Sequence, residues 1–261
     1  MRRLCLLLLA AATTTHAASD LDDFVTAGLV EFHQRRIERL QTLELETVLE
    51  RKNPFLFRAK NPASARDFVA GLLDAHLSSQ EEGLVGAFLE QTAIHVCEQR
   101  RGGRKSAVEG IDLEFEDAAK KTKYIVSIKS GPNWGNSSQI AKMRDHFRQA
   151  RRILQTNATV GAKLVAVNGC CYGKTSAEDK GDYLKLCGQS FWELVSGDAD
   201  FYLTLMDAVG RAADRQKTGF AAEYEKTLER FARQFGEGFC DENGTILWDK
   251  LLRYNSESHA R

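Results

Sequence analysis

The chain has 261 residues, with 36 basic and 36 acidic side chains, so its formal net charge is zero. Its composition, 43% hydrophobic and 28% charged, excludes a disordered chain. The zero net charge excludes a nucleic-acid partner selected by bulk charge alone. The length predicts one large domain, which we place at residues 20–250, between an N-terminal segment at 1–19 and a tail at 251–261.

The N-terminal segment, MRRLCLLLLAAATTTHAAS, has a basic start, an apolar run and an Ala-x-Ala-like site near Thr15, His16 and Ala17. This pattern is typical of a secretory signal, although the apolar run is too short to span a bilayer as a helix. The alternative is a misassigned start. The six cysteines instead indicate a reducing compartment, because they form no CxxC pair and no Cys/His cluster with zinc spacing. Adjacent Cys170 and Cys171 are not expected to bond to each other.

Helical periodicity extends over residues 20–50, 63–77 and 84–99. The segment KNPFLFRAKNP, with Pro54 and Pro62, separates the first two of these helices. The glycines of RRGGRK end the third.

Two strands follow at residues 111–116 and 124–129, because apolar and polar side chains alternate there, and DAAKKT forms the turn between them. A helix capped by Ser137 or Ser138 comes next. Its apolar face comprises Ile140, Met143, Phe147, Ala150 and Leu154.

KLVAVNGCCYG then predicts a short apolar strand that ends in a Gly-rich loop. Residues 183–235 are predicted to be mostly helical, and GTILWDKLL fits either a helix or a strand. The order helix, strand, strand, helix, strand predicts an α/β fold, a mixed sheet flanked by helices, with N- and C-terminal helical additions.

Polar side chains concentrate on the two strands. Paired as a hairpin around DAAKKT, the strands bring Asp112 opposite the stretch from Ser127 to Lys129. Asp112 and Glu114 then share one face, and Ser127 and Lys129 share one face of the partner strand. An exposed ion pair worth about 0–1 kcal/mol is the ordinary interpretation. Gly110 just before Asp112, and the loop SGPNWGNSS just after Lys129, favour a site to which a ligand comes close.

A carboxylate, a lysine and such a loop suit metal-assisted phosphodiester hydrolysis. Asp112 and a strand carbonyl, at Ile128, are oxygen ligands for Mg²⁺, and the metal would activate the water that attacks the phosphate. Lys129 would orient that water or help to deprotonate it.

The pattern GID…SIK on helix, strand, strand, helix, strand resembles the PD-(D/E)XK nuclease core. KNPFLFRAKN, GID, IKSGPNWGNSSQ and NGCCYG together resemble the PmeII-type family of type II restriction endonucleases, between Lys52 and Gly173. The resemblance implies a restriction-endonuclease-like fold with its catalytic core at about residues 80–170. It also implies Mg²⁺-dependent, sequence-specific cleavage of double-stranded DNA by a homodimer, with Asp112 as metal ligand and Lys129 as catalytic lysine. A restriction enzyme acts on DNA inside the cell, which favours a cytoplasmic protein without a membrane partner.

One position departs from that motif. Ser127 lies where the family usually has a carboxylate, and a neutral hydroxyl is a weaker ligand for a hard cation. The candidates for a replacement are Glu90, Glu109 and Glu114. Glu90 is our first choice, because a helix packed beside the strands projects its side chains toward them. A solvated helix residue is the other interpretation of Glu90.

Local charge supports a DNA partner, because basic residues outnumber acidic ones roughly two to one over residues 100–152. Trp134 is expected to stack or wedge at DNA, with burial as the alternative, and His95 and His146 are expected to be structural. The other predicted DNA contacts are polar or basic side chains of the loop and the following helix: Asn133, Asn136, Ser137, Ser138, Lys142 and Arg144.

Two other functions stay open at this point. A DNA-binding module with a degenerate nuclease site would explain Ser127. A secreted, non-specific nuclease would explain residues 1–19.

Overall fold

The computed structural model describes residues 2–155, 163–175, 178–216 and 219–258, with side chains from residue 20 onward except that of Gln155. Contacts divide the chain into two compact units: residues 1–29 with 85–216, and residues 30–84 with 217–261. Among the described residues, no helix has the length and apolar character needed to cross a membrane.

The first unit contains a five-stranded sheet in the order β1-β2-β3-β4-β5. The first three strands are antiparallel neighbours, and the last three are parallel neighbours. The strands are β1 (Arg104–Lys105), β2 (Leu113–Asp117), β3 (Thr122–Lys129), β4 (Lys163–Cys170) and β5 (Leu184–Cys187).

The helices are numbered in chain order. They are α1 (Arg2–Gln41), α2 (Leu45–Arg51), α3 (Pro54–Lys60), α4 (Ala65–Arg101), α5 (Ser137–Gln155), α6 (Gln189–Ser196), α7 (Phe201–Arg215), α8 (Phe220–Phe239) and α9 (Trp248–Ser256). The predicted α/β class and the order helix, strand, strand, helix, strand are confirmed by α4, β2, β3, α5 and β4.

Helix α5 connects the parallel strands β3 and β4 and packs on one face of the sheet. Its buried Met143, Phe147, Ala150 and Leu154 join Ile125 and Ala166 of the strands in one apolar cluster. Seven of the eight residues of β3 are buried. The polar residues Thr122, Lys123 and Ser127 therefore lie inside the protein, and Lys129 at the end of the strand is half-buried.

The second unit has its own apolar core, built from the end of α1, the first half of α4 and helices α2, α3, α8 and α9. Its largest buried side chains include Phe57, Phe68, Phe231 and Phe235. The ring of Phe68 contacts both Phe235 and Trp248. Aromatic packing of this kind lets a small helical unit bury much apolar surface.

Several predicted boundaries are wrong. The predicted helix over 20–50 is divided into α1 and α2, whereas the helices predicted at 63–77 and 84–99 are one continuous α4. KNPFLFRAKNP contains α3, because the Asn53 side chain accepts hydrogen bonds from the N–H groups of Phe55 and Leu56 and Pro54 occupies the first turn.

The predicted edges of the domain lie within helices or outside the described residues. The boundary at residue 19 falls inside α1, and α9 extends into the predicted tail as far as Ser256. Residues 259–261 of that tail, and residues 217–218 of the segment predicted to be helical, lie outside the described residues. Strands β1 and β5 were not predicted.

Candidate functional site

Asp112 lies one residue before β2, at the point where the hairpin pairing changes. Leu113 is the register partner of Val126, yet the N–H of Asp112 also donates to the Val126 carbonyl at 2.9 Å. Two residues of one strand therefore face one residue of the other, as in a β-bulge. The Asp112 carboxylate accepts a hydrogen bond from the N–H of Ile128 at 2.6 Å. The bulge thus aims Asp112 at the end of β3, where Lys129 follows.

The carbonyl of Ile128 points toward the same side as Asp112. In a β-strand the N–H and C=O of one residue are directed to the same neighbour, and the N–H of Ile128 is directed to the Asp112 carboxylate. The carbonyl of Lys129 is directed the other way, because it accepts from the N–H of Cys171 at 2.9 Å. A carboxylate oxygen and a main-chain carbonyl are thus presented side by side.

Glu90 comes to this site from helix α4. One helical turn earlier, a Cβ placed on Gly86 would lie 3.5 Å from the Cβ of Ser130, so this face of α4 lies against the end of β3. Burial, followed by the negative charge of Asp112, raises the pKa of Glu90, whereas the charges of Lys129 and Lys105 lower it. Glu90 therefore lies close enough to both Asp112 and Lys129 for their charges to act on its carboxyl group.

The two other candidate carboxylates are held elsewhere. Glu109 is 84% exposed at its side chain and lies 3.8 Å from His146. Glu114 is buried and forms ion pairs with Arg104 at 2.7 Å and Lys123 at 3.3 Å. Neither therefore shares the surroundings of Asp112 and Lys129 as Glu90 does.

Ser127 is buried between the central strands. It is 3% exposed and is the register partner of Asn168 on β4. The Asn168 amide group donates to the main-chain carbonyl of Ser127 at 3.3 Å. The position that usually has a carboxylate is thus occupied by a buried, neutral side chain inside the sheet.

Lys129 lies at the end of β3 beside the ring of Trp134. Its Nζ is 5.3 Å from the ring centroid, within the range of a cation–π contact. The indole N–H of Trp134 donates to the Asn168 side chain at 3.1 Å. Trp134 is half-buried and packs against the cluster under α5. The predicted alternative of a buried aromatic therefore describes its placement better than an exposed wedge.

The residues fit a magnesium ion, although no group of three or more His, Cys, Asp or Glu side chains that could hold a metal occurs in the described parts of the chain. Mg²⁺ needs only one or two protein carboxylates, because it keeps several water ligands. Asp112, Glu90 and the Ile128 carbonyl supply such a set. Burial, and then the negative charge of Asp112, raise the pKa of Glu90, and a cation bound between the two carboxylates would favour their charged forms.

The loop after Lys129 is fixed by close contacts. A Cβ on Gly131 would lie 2.3 Å from the ring of Tyr172, and a Cβ on Gly173 would lie 2.6 Å from Pro132. Lys185 donates to the Pro132 carbonyl at 2.7 Å. At Gly173, whose φ is +98°, glycine suits both the backbone conformation and the close approach of Pro132.

Asn136, not Ser137 or Ser138, caps helix α5. Its side chain accepts from the N–H of Gln139, and the Gln139 side chain accepts from the N–H of Asn136, each at 3.0 Å. This reciprocal pair is a capping box with Asn in place of Ser. Asn133, Ser137 and Ser138 are exposed, and Ser138 donates to the Asn136 side chain.

The two basic residues predicted to contact DNA differ in their surroundings. Lys142 is exposed. Arg144 lies 3.4 Å from Asp182 and 5.6 Å from the centroid of the Tyr183 ring. Arg144 therefore already has an intramolecular ion-pair partner, so Lys142 is the better placed of the two to contact a DNA phosphate.

The histidines and cysteines have structural surroundings. His95 is stacked on Phe24, and His146 lies against Gly110. The five cysteines whose side chains the structure describes are free, and adjacent Cys170 and Cys171 are not bonded to each other. Burial and then the charge of Glu90 raise the pKa of Cys171 to about 12, so its thiol stays protonated at neutral pH.

Two further residues near the site, Lys105 and Asn168, were not predicted from the sequence. Lys105 belongs to a strand of two residues, which has no periodic signal. Asn168 is the one amide in the apolar strand β4, and a lone polar residue in such a strand is the signal that would have indicated a buried partner.

The mixed sheet, with α5 between two parallel strands and an acidic and lysine cluster at their ends, defines a restriction-endonuclease-like nuclease fold. Residues 19–217 match the family described as Type II restriction endonuclease EcoO109I. This match covers most of the chain, so the chain belongs to that family of site-specific deoxyribonucleases, and the predicted function class is confirmed. No curated protein matches the chain.

Proposed function

We propose that this restriction endonuclease cleaves double-stranded DNA with Mg²⁺ bound by Asp112, Glu90 and the Ile128 carbonyl, and with Lys129 as the catalytic lysine. The observation that carries the proposal is the 2.6 Å hydrogen bond from the N–H of Ile128 to the Asp112 carboxylate. This bond joins the two strands at the residue before Lys129. A shift of the register by one residue would send Asp112 or Lys129 to the opposite face of the sheet.

Each residue has a separate task in the reaction. Asp112 and Glu90 would hold the cation with carboxylate oxygens, and the Ile128 carbonyl would add a neutral oxygen. When bound, Mg²⁺ polarises the scissile phosphate and lowers the pKa of the attacking water. Lys129 orients that water and stabilises the negative charge that develops on the phosphate.

Incubation of the purified protein with plasmid DNA and Mg²⁺ tests the activity. We expect discrete fragments. We expect Lys129→Ala to lose about 100-fold or more of the cleavage rate while DNA affinity, measured with Ca²⁺ in place of Mg²⁺, stays unchanged. Lys120→Ala is the matched control, because Lys120 is an exposed lysine of the β2–β3 turn. Cleavage by Lys129→Ala at the wild-type rate would refute the role of Lys129.

A DNA-binding module with a degenerate site is the second candidate. It is favoured by Ser127, a buried neutral residue where the motif usually has a carboxylate. That function predicts DNA that is shifted in a gel but intact at every Mg²⁺ concentration.

The PmeII-type assignment is a narrower proposal. It rests on KNPFLFRAKN, GID, IKSGPNWGNSSQ and NGCCYG, whereas the family match supports type II restriction endonucleases more broadly. Sequencing the fragment ends would give a recognition site to compare with those of PmeII-type enzymes.

We also propose a homodimer that acts in the cytoplasm. A palindromic target presents two equivalent strands, which a two-fold symmetric dimer can contact equally. Light scattering of the protein with and without target DNA measures the assembly. N-terminal sequencing of the mature chain checks whether residues 1–19 are retained.

A further inference from the structure

A short chain of contacts joins Lys129 to the interior of the sheet. The Lys129 ammonium lies 5.3 Å from the centroid of the Trp134 ring. The Trp134 indole N–H donates to Asn168 at 3.1 Å, and Asn168 donates to the Ser127 carbonyl at 3.3 Å. This series of contacts therefore begins at Lys129 and ends on the same strand, β3, at the main-chain carbonyl two residues earlier.

The buried end of this chain is rigid. Asn168 is 1% exposed and is held in β4 as the register partner of Ser127. Its two hydrogen bonds use both the donor and the acceptor of the amide, which fixes the amide's orientation. The bond to the indole N–H in turn fixes the rotation of the Trp134 ring about its side-chain bonds.

The exposed end needs such a support. Lysine carries its charge on a flexible four-carbon stem, so a defined ammonium position requires a partner. The usual motif has a carboxylate two residues before the lysine, on the same face of the strand. Ser127 supplies no charge there, and the electron-rich face of Trp134 is the partner that the structure offers to Lys129 instead.

We propose that Trp134 and Asn168 are positioning residues that hold the Lys129 ammonium in place for cleavage, compensating for the neutral Ser127. This inference rests on the proposed role of Lys129. It changes the expected role of Trp134 from a DNA contact to a support for the catalytic lysine.

Trp134→Leu and Trp134→Phe test the proposal by single-turnover cleavage with Mg²⁺ and by DNA affinity with Ca²⁺. We expect Trp134→Leu to cleave about 10-fold more slowly, the size of effect given by a partly buried cation–π contact, with DNA affinity unchanged. Trp134→Phe keeps an aromatic face without the N–H, so it should recover part of the rate. Asn168→Leu, which leaves the indole N–H without its acceptor, should slow cleavage by a smaller factor.

Leu164→Ala is the control for a purely structural effect. Leu164 is partly buried against the same apolar cluster as Trp134. It lies far from Lys129 along the sheet, because the register partner of Lys129 on β4 is Cys170, six residues further along that strand. We expect it to lower the melting temperature without slowing cleavage at temperatures where it is folded. An equal loss of rate in Leu164→Ala would overturn the proposal, as would weaker DNA binding by Trp134→Leu at an unchanged rate.

Lys129→Ala separates this proposal from the proposed function. If Lys129→Ala is inactive and Trp134→Leu cleaves at the wild-type rate, the positioning role alone is refuted. If Lys129→Ala itself cleaves normally, the catalytic role of Lys129 is refuted, and the positioning role with it.

Discussion

Gly110→Ala tests how the turn before β2 places Asp112. Gly110 has a φ of +75° and occupies the third position of a turn closed by the hydrogen bond from the N–H of Ile111 to the Val108 carbonyl. A Cβ at this position would lie 1.7 Å from Nδ1 of His146. Alanine is therefore disfavoured here for two reasons: its backbone would have to adopt a positive φ, and its Cβ would clash with the His146 side chain.

The two costs can be estimated separately. A non-glycine residue in the left-handed region costs about 1–2 kcal/mol. Displacement of the half-buried His146 resembles overpacking, which costs about 1–3 kcal/mol. We therefore expect Gly110→Ala to lower the free energy of unfolding by about 2–5 kcal/mol. Because Asp112 is two residues away, a shift of the turn should also slow cleavage, by up to about 100-fold for a displacement near 1 Å.

Gly102→Ala is the matched control. Gly102 has a φ of +64°, and a Cβ there would have no atom within 4 Å, so this variant should lose only the backbone cost of about 1–2 kcal/mol. Urea unfolding measures both variants, and single-turnover cleavage is measured where each is folded. Combining Gly110→Ala with His146→Ala should restore part of the loss. Equal destabilisation by Gly102→Ala and Gly110→Ala would refute the steric argument.

Two more predictions concern the metal site and the DNA surface. Glu90→Gln should weaken Mg²⁺-dependent cleavage. Burial and the charge of Asp112 raise the folded-state pKa of Glu90, so the wild type loses stability as pH rises from the ordinary carboxyl pKa of about 4.5 to that raised pKa. Above this range, Glu90→Gln should therefore stabilise the metal-free protein relative to the wild type. Thermal unfolding in EDTA at roughly pH 4 and pH 8 checks the sign, and the same difference in melting temperature at both pH values would contradict it. Lys142→Ala should weaken DNA binding and reduce its salt dependence by about one phosphate contact, whereas Arg144→Ala should chiefly lower the melting temperature, because Arg144 is paired with Asp182. DNA titrations at several salt concentrations, with a melting curve for each variant, distinguish these two expectations. A larger loss of DNA affinity in Arg144→Ala than in Lys142→Ala would show that Arg144, not Lys142, is the phosphate contact.

The sequence predicted the hairpin of β2 and β3 well because its side chains alternate over five or more residues and its turn is polar. The same holds for α5, whose apolar positions recur with helical spacing and are buried at Met143, Phe147, Ala150 and Leu154. Local pattern and tertiary burial agree in α5. In β3 the alternation marks the strand, although seven of its eight residues are buried, so the pattern places this element without giving its burial.

Elements without a local pattern were missed. Strands β1 and β5 contain two and four residues, too few for alternation to be visible, and their pairing with β2 and β4 decides that they are strands. Helix α4 was divided at residues 78–83 because SSQEEG is polar and has no apolar face. The helix continues there because neither proline nor a turn motif interrupts it, and polar residues remain favourable in an exposed helical turn.

The site itself was predictable in part, for a physical reason. Asp112 and Lys129 are related by the register of one hairpin, which sequence spacing can give, whereas Glu90 and Asn168 reach the site from other elements. Their positions follow from how α4 packs on the sheet and how β4 pairs with β3, and no spacing in the chain encodes either. A neutral residue at position 127 leaves the proposed site without a charge there, so we infer that a carboxylate for the metal and a partner for the lysine come from other positions in the chain. In our proposal Glu90 supplies the carboxylate and Trp134 the partner of the lysine, and the two roles are separable. Loss of Glu90 should alter the Mg²⁺ concentration required for cleavage, whereas loss of Trp134 should lower the rate at saturating Mg²⁺ without altering that concentration.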